Sequence, residues 1–160
     1  MGILNWLEML PLAIWVHESP SVWAQPTVLT LHTMGMGVLV GASWILDMRL
    51  LGMNKNVPLS AFRWVFRAVA ISLAVNLVTG VLLFAGRATL WGTAFPFLLK
   101  MIFVVVSAAT LLPLRTYVLT AGPEVREANS RARWLAIVSI VAWTGAITVG
   151  RLLAYVVEGA

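Results

Sequence analysis

The only histidine within a long apolar run of this chain is His32, in the stretch LHTMGMGVLVGASWILD, residues 31–47. An imidazole in apolar surroundings is costly to bury unless it is bonded to something. It can ligate haem iron, bind Cu(I) together with thioether sulfurs, hydrogen-bond a quinone carbonyl, or hold a serine or threonine of a neighbouring helix. The sequence leaves these four uses open.

Three basic residues, Arg87, Lys100 and Arg151, lie near the ends of the other apolar runs. With a rise of about 1.5 Å per residue, His32, Lys100 and Arg151 lie roughly 7 to 9 Å below the same boundary of their helices. Arg87 closes its run on that side, and no carboxylate occurs in the runs at this depth. We therefore expect these cations to converge on an anionic or electron-rich ligand. The alternative is that Arg87 and Lys100 reach lipid phosphates and that Arg151 pairs with Glu158, or with Glu8 or Glu18 of the N-terminal segment.

Two ligand sets follow from these positions. The first would hold a b-type haem or a quinone, with nearby glycines leaving room for a flat ring; its members are His32, Met36, Arg87, Lys100 and Arg151. The second would hold Cu(I), which imidazole and thioether ligands suit; its members are His32, Met36 and Met101. The only other histidine, His17, lies outside the apolar runs, so a haem between two histidines within the helices is excluded.

The composition indicates a protein dissolved in a lipid bilayer. Apolar residues make up 61% of the chain and charged residues 11%, and the mean hydropathy is +0.93. The absence of cysteine excludes disulfides, cysteine-ligated metals and thiol nucleophiles. Neither a hydrolase triad, a phosphate-binding loop nor a pair of carboxylates is recognisable. No catalytic residue is therefore predicted, and whether the chain belongs to an enzyme stays open.

Four apolar runs are long enough to cross the roughly 30 Å of a hydrocarbon core as helices. We expect these spans at about residues 27–48, 66–87, 95–119 and 133–157. The predicted fold class is all-α, an integral membrane four-helix bundle formed by residues 27–160 as one domain. Residues 1–26 form a short interfacial segment on the outer leaflet, because Trp6, Trp15 and Trp23 suit the headgroup belt.

The basic residues predict how the chain crosses the membrane. The net charge of +5 comes from residues flanking the apolar runs, a distribution that favours the positive-inside rule over a nucleic-acid partner. The segments 49–67 and 115–133 each hold four or more Lys and Arg residues, whereas residues 1–26 hold none. The two basic segments are expected in the cytoplasm and both termini outside.

Helical periodicity sorts the polar residues into stripes, which we expect to face the interior of the bundle. These stripes contain His32, Met36, Ser43 and Asp47 in the first span, Ser72, Asn76, Gly80 and Arg87 in the second, Lys100 and Ser107 in the third, and Thr144, Thr148, Arg151, Tyr155 and Glu158 in the fourth. Gly37 and Gly41 lie on the opposite side of the first span and predict a close helix contact. At the cytoplasmic side, Asp47 and Arg49 are expected to brace the first span against Arg63 or Arg67. Pro113 predicts a kink in the third span.

Three stretches resemble a known family, namely LHTMGMGVLVGASWILDMRLLG (31–52), FPFLLKM (95–101) and WTGAITVGRLLAY (143–155). The chain resembles a bacterial family of small four-helix membrane proteins of unknown function, distantly similar to the membrane domain of the copper-resistance protein CopD. The shared positions are His32, Asp47, Arg49, Gly52, Lys100, Gly150 and Arg151. The resemblance implies a bacterial inner-membrane location and adds support to copper or haem. Relatives often carry a further histidine near the cytoplasmic end of the third helix, where this chain has Pro113 and Leu114.

These observations predict an accessory or anchor subunit of a larger membrane complex, in contact with lipid and with other membrane or periplasmic subunits. A redox role for haem or a quinone near the outer leaflet is the leading hypothesis. The alternatives are a copper(I)-handling membrane protein and a structural scaffold without a cofactor. The expected location is the bacterial inner membrane, with both termini periplasmic.

Overall fold

The computed structural model describes residues 2–157 apart from Pro123 and Arg126, and it places no side chain for Ala154 and Val157. Across this part of the chain the regular structure is helical, without a strand. The α-helices are α1 (Ile3–Glu8), α2 (Pro11–Glu18), α3 (Gln25–Leu50), α4 (Val65–Ala85), α5 (Ala88–Gly92), α6 (Phe95–Thr120) and α7 (Ser130–Val157). A short 3-10 helix, Leu59–Phe62, precedes α4.

Four of these helices are long and apolar enough to cross a membrane, and the chain is a multi-pass membrane protein. They are α3, α4 together with the preceding 3-10 helix, α6, and α7 as far as Leu153. Pro26 and Pro96 lie in the first turns of α3 and α6. Proline suits this position because the backbone N–H that it lacks has no partner within the helix there. The predicted all-α four-helix bundle is thus confirmed.

The bundle consists of two antiparallel pairs, α3 with α4 and α6 with α7, joined through α3 and α7. Small residues let the backbones of each pair approach closely. A Cβ at Gly35 of α3 would lie 2.5 Å from Asn76 Nδ2 of α4, and a Cβ at Gly145 of α7 would lie 2.8 Å from the Phe103 ring of α6. The predicted contact through Gly37 and Gly41 is wrong within this chain, because a Cβ at either position would meet nothing within 4 Å.

Buried hydroxyl groups line the inside of the bundle on three helices. Ser43, Ser72 and Ser107 are buried, and each donates its hydroxyl proton to a backbone carbonyl one turn earlier in its own helix. Such bonds satisfy a hydroxyl without a partner from another helix. The polar stripes of α3, α4 and α6 therefore face inwards, as predicted.

The stripe on α7 faces outwards, contrary to the prediction. Thr144, Thr148, Arg151 and Tyr155 are all exposed on the surface of the bundle. The two threonine hydroxyls donate to the carbonyls of Ile140 and Thr144, at 2.7 and 2.9 Å. Because these bonds are made within α7, nothing forces the threonines into the interior. Glu158, the predicted partner of Arg151, lies outside the described residues.

The helices α1, α2 and α5 cover one end of the bundle, which we call the capped end. Ala13, Val16 and Ala24 are buried there. The carboxylate of Glu8 accepts hydrogen bonds from the Thr89 backbone N–H at 2.8 Å and from its hydroxyl at 2.6 Å. These two bonds hold the pKa of Glu8 below its usual range. Trp6, Trp15 and Trp23 are exposed, as interfacial side chains would be.

The opposite end, which we call the loop end, contains the connections 51–64 and 121–129. Arg49 is buried, and its Nε and Nη2 both donate to the Val57 carbonyl, at 2.9 and 2.6 Å. Arg63 donates to the carbonyls of Leu119 and Ala121. The predicted brace of Asp47 and Arg49 against Arg63 is therefore wrong, because Arg63 binds backbone carbonyls of the loop end. The α6 helix is continuous from Phe95 to Thr120, with Pro113 inside it.

Candidate functional site

His32 is held against α4 by a hydrogen bond between its Nδ1 and the Thr79 hydroxyl, 2.9 Å long. Thr79 is itself buried, and its hydroxyl lies 2.7 Å from the Val75 carbonyl of its own helix. The imidazole is therefore bonded along the edge that faces α4.

A glycine makes room for this ring. A Cβ at Gly80 would lie 3.2 Å from His32 Cε1 and 3.7 Å from Nδ1, and these are the ring atoms within 4 Å of that position. The Nδ1–Cε1 edge thus lies on the α4 backbone, and Nε2 points away from it. The sequence predicted that such glycines would admit a flat cofactor, but the space at Gly80 is taken by the imidazole itself.

The side chain of Lys100 on α6 packs against a second glycine, Gly150 of α7. A Cβ at Gly150 of α7 would lie 3.4 Å from Lys100 Cδ and Cε and 3.6 Å from Nζ. Among the described residues no hydrogen bond or ion pair involves Nζ. Lys100 Nζ is therefore a donor without a partner among the described residues.

Four helices contribute residues to this part of the bundle, near the capped end, which we call the His32–Lys100 site. His32 comes from α3, Thr79 and Gly80 from α4, Lys100 from α6 and Gly150 from α7. Both His32 and Lys100 are partly exposed, so their polar atoms are accessible from the surface of the bundle. The arrangement presents an ammonium donor and the free Nε2 of an imidazole.

The other two predicted cations lie elsewhere. Arg87 lines a cavity of about 20 Å³ at the capped end, together with His17, Gln25 and Trp91. Such a cavity has room for one water molecule. Arg151 is exposed on the outward face of α7. The structure places Arg87 and Arg151 in surroundings other than those of His32, so the predicted convergence of all three cations does not occur.

The two methionines of the predicted ligand sets differ in their surroundings. Met36 lies one turn after His32 and packs against the apolar core. Met101 is 42% exposed on α6. No group of three or more His, Asp or Glu side chains that could hold a metal ion occurs within the described residues. A lysine charge beside His32 also opposes a second cation there.

Sequence reasoning missed Thr79 and Gly150. Depth in the membrane could have indicated Thr79, because Thr79 lies on the antiparallel helix α4 at the same level as His32 on α3. Hydropathy does not distinguish a threonine that binds a histidine from one that binds only its own helix. The role of Gly150 depends on the path of the Lys100 side chain, which only the packing of α6 on α7 determines.

A second polar cluster lies deeper in the bundle, towards the loop end. Asp47 is 1% exposed, and its Oδ2 has no hydrogen-bond partner among the described residues. The Ser139 hydroxyl of α7 faces this carboxyl group but forms no hydrogen bond of good geometry. Trp143, one turn further along α7, buries an equally unpartnered indole N–H. Ser139 was also missed from the sequence.

Comparison with known proteins adds no relative. No family model, no curated protein and no solved structure matches the chain. The resemblance to the CopD-related family accordingly stays a prediction. Function has to be argued from the His32–Lys100 site.

Proposed function

We propose that this protein is an integral membrane accessory or anchor subunit that binds the polar head of a lipid-soluble quinone at the His32–Lys100 site. The observation that carries the proposal is that Lys100 Nζ and His32 Nε2, in the same part of the bundle, have no hydrogen-bond partner among the described residues. Each of the four long helices contributes to this site. Ionisable residues inside a membrane are costly to keep, and function is their default explanation.

The chemistry of the two side chains favours an oxygen ligand. The ammonium of Lys100 has three donors and no acceptor, so it suits a carbonyl or hydroxyl oxygen. Both side chains are partly exposed, which gives access to a ligand that arrives through lipid. A quinone head carries oxygens on opposite sides of an apolar ring, and its tail stays in the hydrocarbon region.

Haem and Cu(I) fit the site less well. Cu(I) would place a metal cation at His32, and the positive charge of Lys100 in the same part of the bundle would oppose it. A second axial ligand for haem would have to be Met36, which packs against the core, or Met101, which is exposed. We therefore place the quinone ahead of both metals.

The proposed role as a subunit draws on the exposed face of α7. Thr144, Thr148 and Arg151 lie on that face at membrane depth. An arginine facing hydrocarbon is unfavourable unless it reaches the interface or meets a partner. A neighbouring membrane or periplasmic subunit would cover this face. A defined partner that copurifies with the unaltered protein and is lost in Arg151→Leu would support this role. A partner that stays bound in both Arg151→Leu and Arg151→Gln would contradict it.

The proposed location follows the positive-inside rule and the family resemblance. The loop end would face the bacterial cytoplasm and the capped end the periplasm, with both termini outside. The His32–Lys100 site would then lie near the outer leaflet. The contribution of α1 and α2 would be to rest on that leaflet through their exposed tryptophans.

The binding test uses decylubiquinone, a quinone with a short tail, and the purified protein in mild detergent. Quenching of tryptophan fluorescence reports binding. The chain has two lysines and two histidines, so each site residue has a matched control. Lys100→Met and His32→Gln test the site, while Lys55→Met and His17→Gln serve as controls. A hydrogen bond to a charged group contributes about 1.5 to 3 kcal/mol, so Lys100→Met should weaken binding by about 10- to 150-fold.

The proposal requires that the two control variants bind as the unaltered protein does. Equal affinity in Lys100→Met and Lys55→Met would contradict it, as would absence of saturable binding in the unaltered protein. A Soret band from bound haem that is lost in His32→Gln would instead favour the haem alternative. Stoichiometric copper without such a band would favour copper handling.

A further inference from the structure

The hydrogen bonds around Thr79 determine which nitrogen of His32 carries the proton. A threonine hydroxyl has a single proton, and the 2.7 Å distance from Thr79 Oγ1 to the Val75 carbonyl oxygen requires that proton between the two oxygens. The 2.9 Å contact with His32 Nδ1 must then be bridged by a proton on Nδ1. His32 is thus the donor and the Thr79 oxygen the acceptor.

The packing of the ring agrees with this assignment. Nδ1 and Cε1 are the ring atoms nearest the position of a Cβ on Gly80, so Nδ1 is the nitrogen that faces α4. A neutral imidazole with its proton on Nδ1 has a lone pair on Nε2.

The free Nε2 is therefore an acceptor. Among the described residues it receives no hydrogen bond. Lys100 Nζ is a donor without a partner among the described residues. The site presents one acceptor and one donor. A single oxygen satisfies both when it carries a proton, since a hydroxyl group accepts from Nζ and donates to Nε2.

We propose that the His32–Lys100 site selects the reduced, hydroxyl-bearing form of its ligand, a hydroquinone, and that Thr79 is the positioning residue that imposes this preference. This inference rests on the proposed function and names the form of the ligand. A quinone carbonyl accepts from Lys100 but has no proton for Nε2, which leaves one site atom unpaired. Leaving a buried polar atom unpaired lowers affinity.

The tautomer is measured directly by ¹⁵N NMR of histidine-labelled protein in mild detergent above neutral pH. His17→Gln leaves His32 as the only histidine, so its two ring nitrogens are assigned without ambiguity. The shift pattern of a protonated Nδ1 and an unprotonated Nε2 is expected in the absence of any ligand. The opposite pattern in this variant would overturn the inference, and the measurement does not depend on ligand binding.

Two substitutions separate the hydroxyl group from the packing of Thr79. Thr79→Val removes the acceptor at nearly constant volume and should move the His32 proton towards Nε2. Thr79→Ser keeps the hydroxyl and should retain the Nδ1 pattern. Thr110→Val is the matched control, since Thr110 is a buried threonine of α6 whose hydroxyl bonds its own backbone. An unchanged tautomer in Thr79→Val would contradict the role of Thr79, and if that variant does not fold, the pattern in Thr79→Ser decides.

The ligand preference is tested with decylubiquinol and decylubiquinone in parallel titrations. The unaltered protein should bind the quinol at least about 10-fold more tightly, the ratio that one satisfied hydrogen bond supplies. Thr79→Val should abolish this preference, whereas Thr110→Val should retain it. If both forms bind equally well and Lys100→Met weakens the binding of both, the hydroquinone inference is overturned and the proposed function still stands. Binding of neither form would remove the proposed function, while the tautomer measurement would still decide the role of Thr79.

Discussion

Two glycines of α3, two residues apart, should respond in opposite ways to substitution by alanine, one losing and one keeping the stability of the protein. A Cβ at Gly35 would lie 2.5 Å from Asn76 Nδ2, which is 0.9 Å inside the distance where ordinary contact begins, and 3.3 Å from Val75 Cγ1. A Cβ at Gly37 would meet nothing within 4 Å. Gly35→Ala therefore tests the packing of α3 on α4, and Gly37→Ala is its matched control.

The magnitudes follow from two opposing terms. Alanine in place of glycine in a helix interior favours the helix by about 0.8 to 1 kcal/mol, and both variants gain this. Forcing a methyl group into a packed contact costs about 1 to 3 kcal/mol. Asn76 also cannot retreat freely, because Nδ2 donates to the Ser72 carbonyl at 2.9 Å. Gly35→Ala should thus be less stable than Gly37→Ala by about 1 to 3 kcal/mol.

The assay is unfolding by sodium dodecyl sulfate in mixed micelles, followed by far-ultraviolet circular dichroism. Gly37→Ala is expected to unfold at the same or a higher detergent fraction than the unaltered protein, and Gly35→Ala at a lower one. Equal midpoints for the two variants would refute the close approach of α3 and α4 at Gly35, and with it the register that places His32 opposite Thr79.

The remaining predictions concern the two ends of the bundle. The depressed pKa of Glu8 means that its hydrogen bonds to Thr89 stabilise α1 above the usual carboxyl range and are lost as the pH falls through the lowered pKa. The protection of α1 amides against hydrogen exchange, corrected for the intrinsic rate at each pH, should therefore fall at acidic pH, and Glu8→Gln should abolish that pH dependence. Arg49→Lys loses the two bonds to the Val57 carbonyl and should cost about 1 to 3 kcal/mol in the same unfolding assay; an unchanged midpoint would speak against this tie. Cysteines introduced at positions 54 and 129 of this cysteine-free chain should react only from the cytoplasmic side, and labelling from outside would reverse the proposed orientation.

The sequence was sufficient to predict the spans because length and hydropathy dominate in a bilayer. The observed helices begin and end within three residues of the predicted bounds, for instance Phe95–Thr120 for the third span. The short helix Ala88–Gly92 was not predicted, since five residues carry no periodic signal. Its first turn is bound by Glu8 from a distant part of the chain, a contact that no local pattern encodes.

Periodicity predicted which residues share a face of a helix but not always which face turns inwards. The threonines of α7 satisfy their hydroxyls within their own helix, so a polar stripe could face outwards at little cost. The motif Gly37–Gly41 was likewise assigned to the wrong contact. Close approach of α3 to α4 occurs at Gly35 because Asn76 packs there, which depends on the register of two helices.

The candidate site was predictable in part. His32 and Lys100 were identified from residue type and depth alone, because a buried imidazole and a lysine inside apolar runs are unusual. Thr79 was not, although it determines the orientation of the histidine. Arg87 and Arg151 share the predicted end of the bundle, but depth along a helix does not specify the direction in which a side chain leaves it.

A double-mutant cycle on ligand affinity tests most directly whether His32 and Lys100 act on one ligand. Decylubiquinol binding is measured in the unaltered protein, in His32→Gln, in Lys100→Met and in the double variant. If one hydroxyl group bridges the two side chains, either single substitution already removes much of the shared binding energy. The loss of binding free energy in the double variant should then be smaller than the sum of the two single losses by about 1 to 2 kcal/mol. Strictly additive losses, or no loss in either single variant, would contradict a shared site.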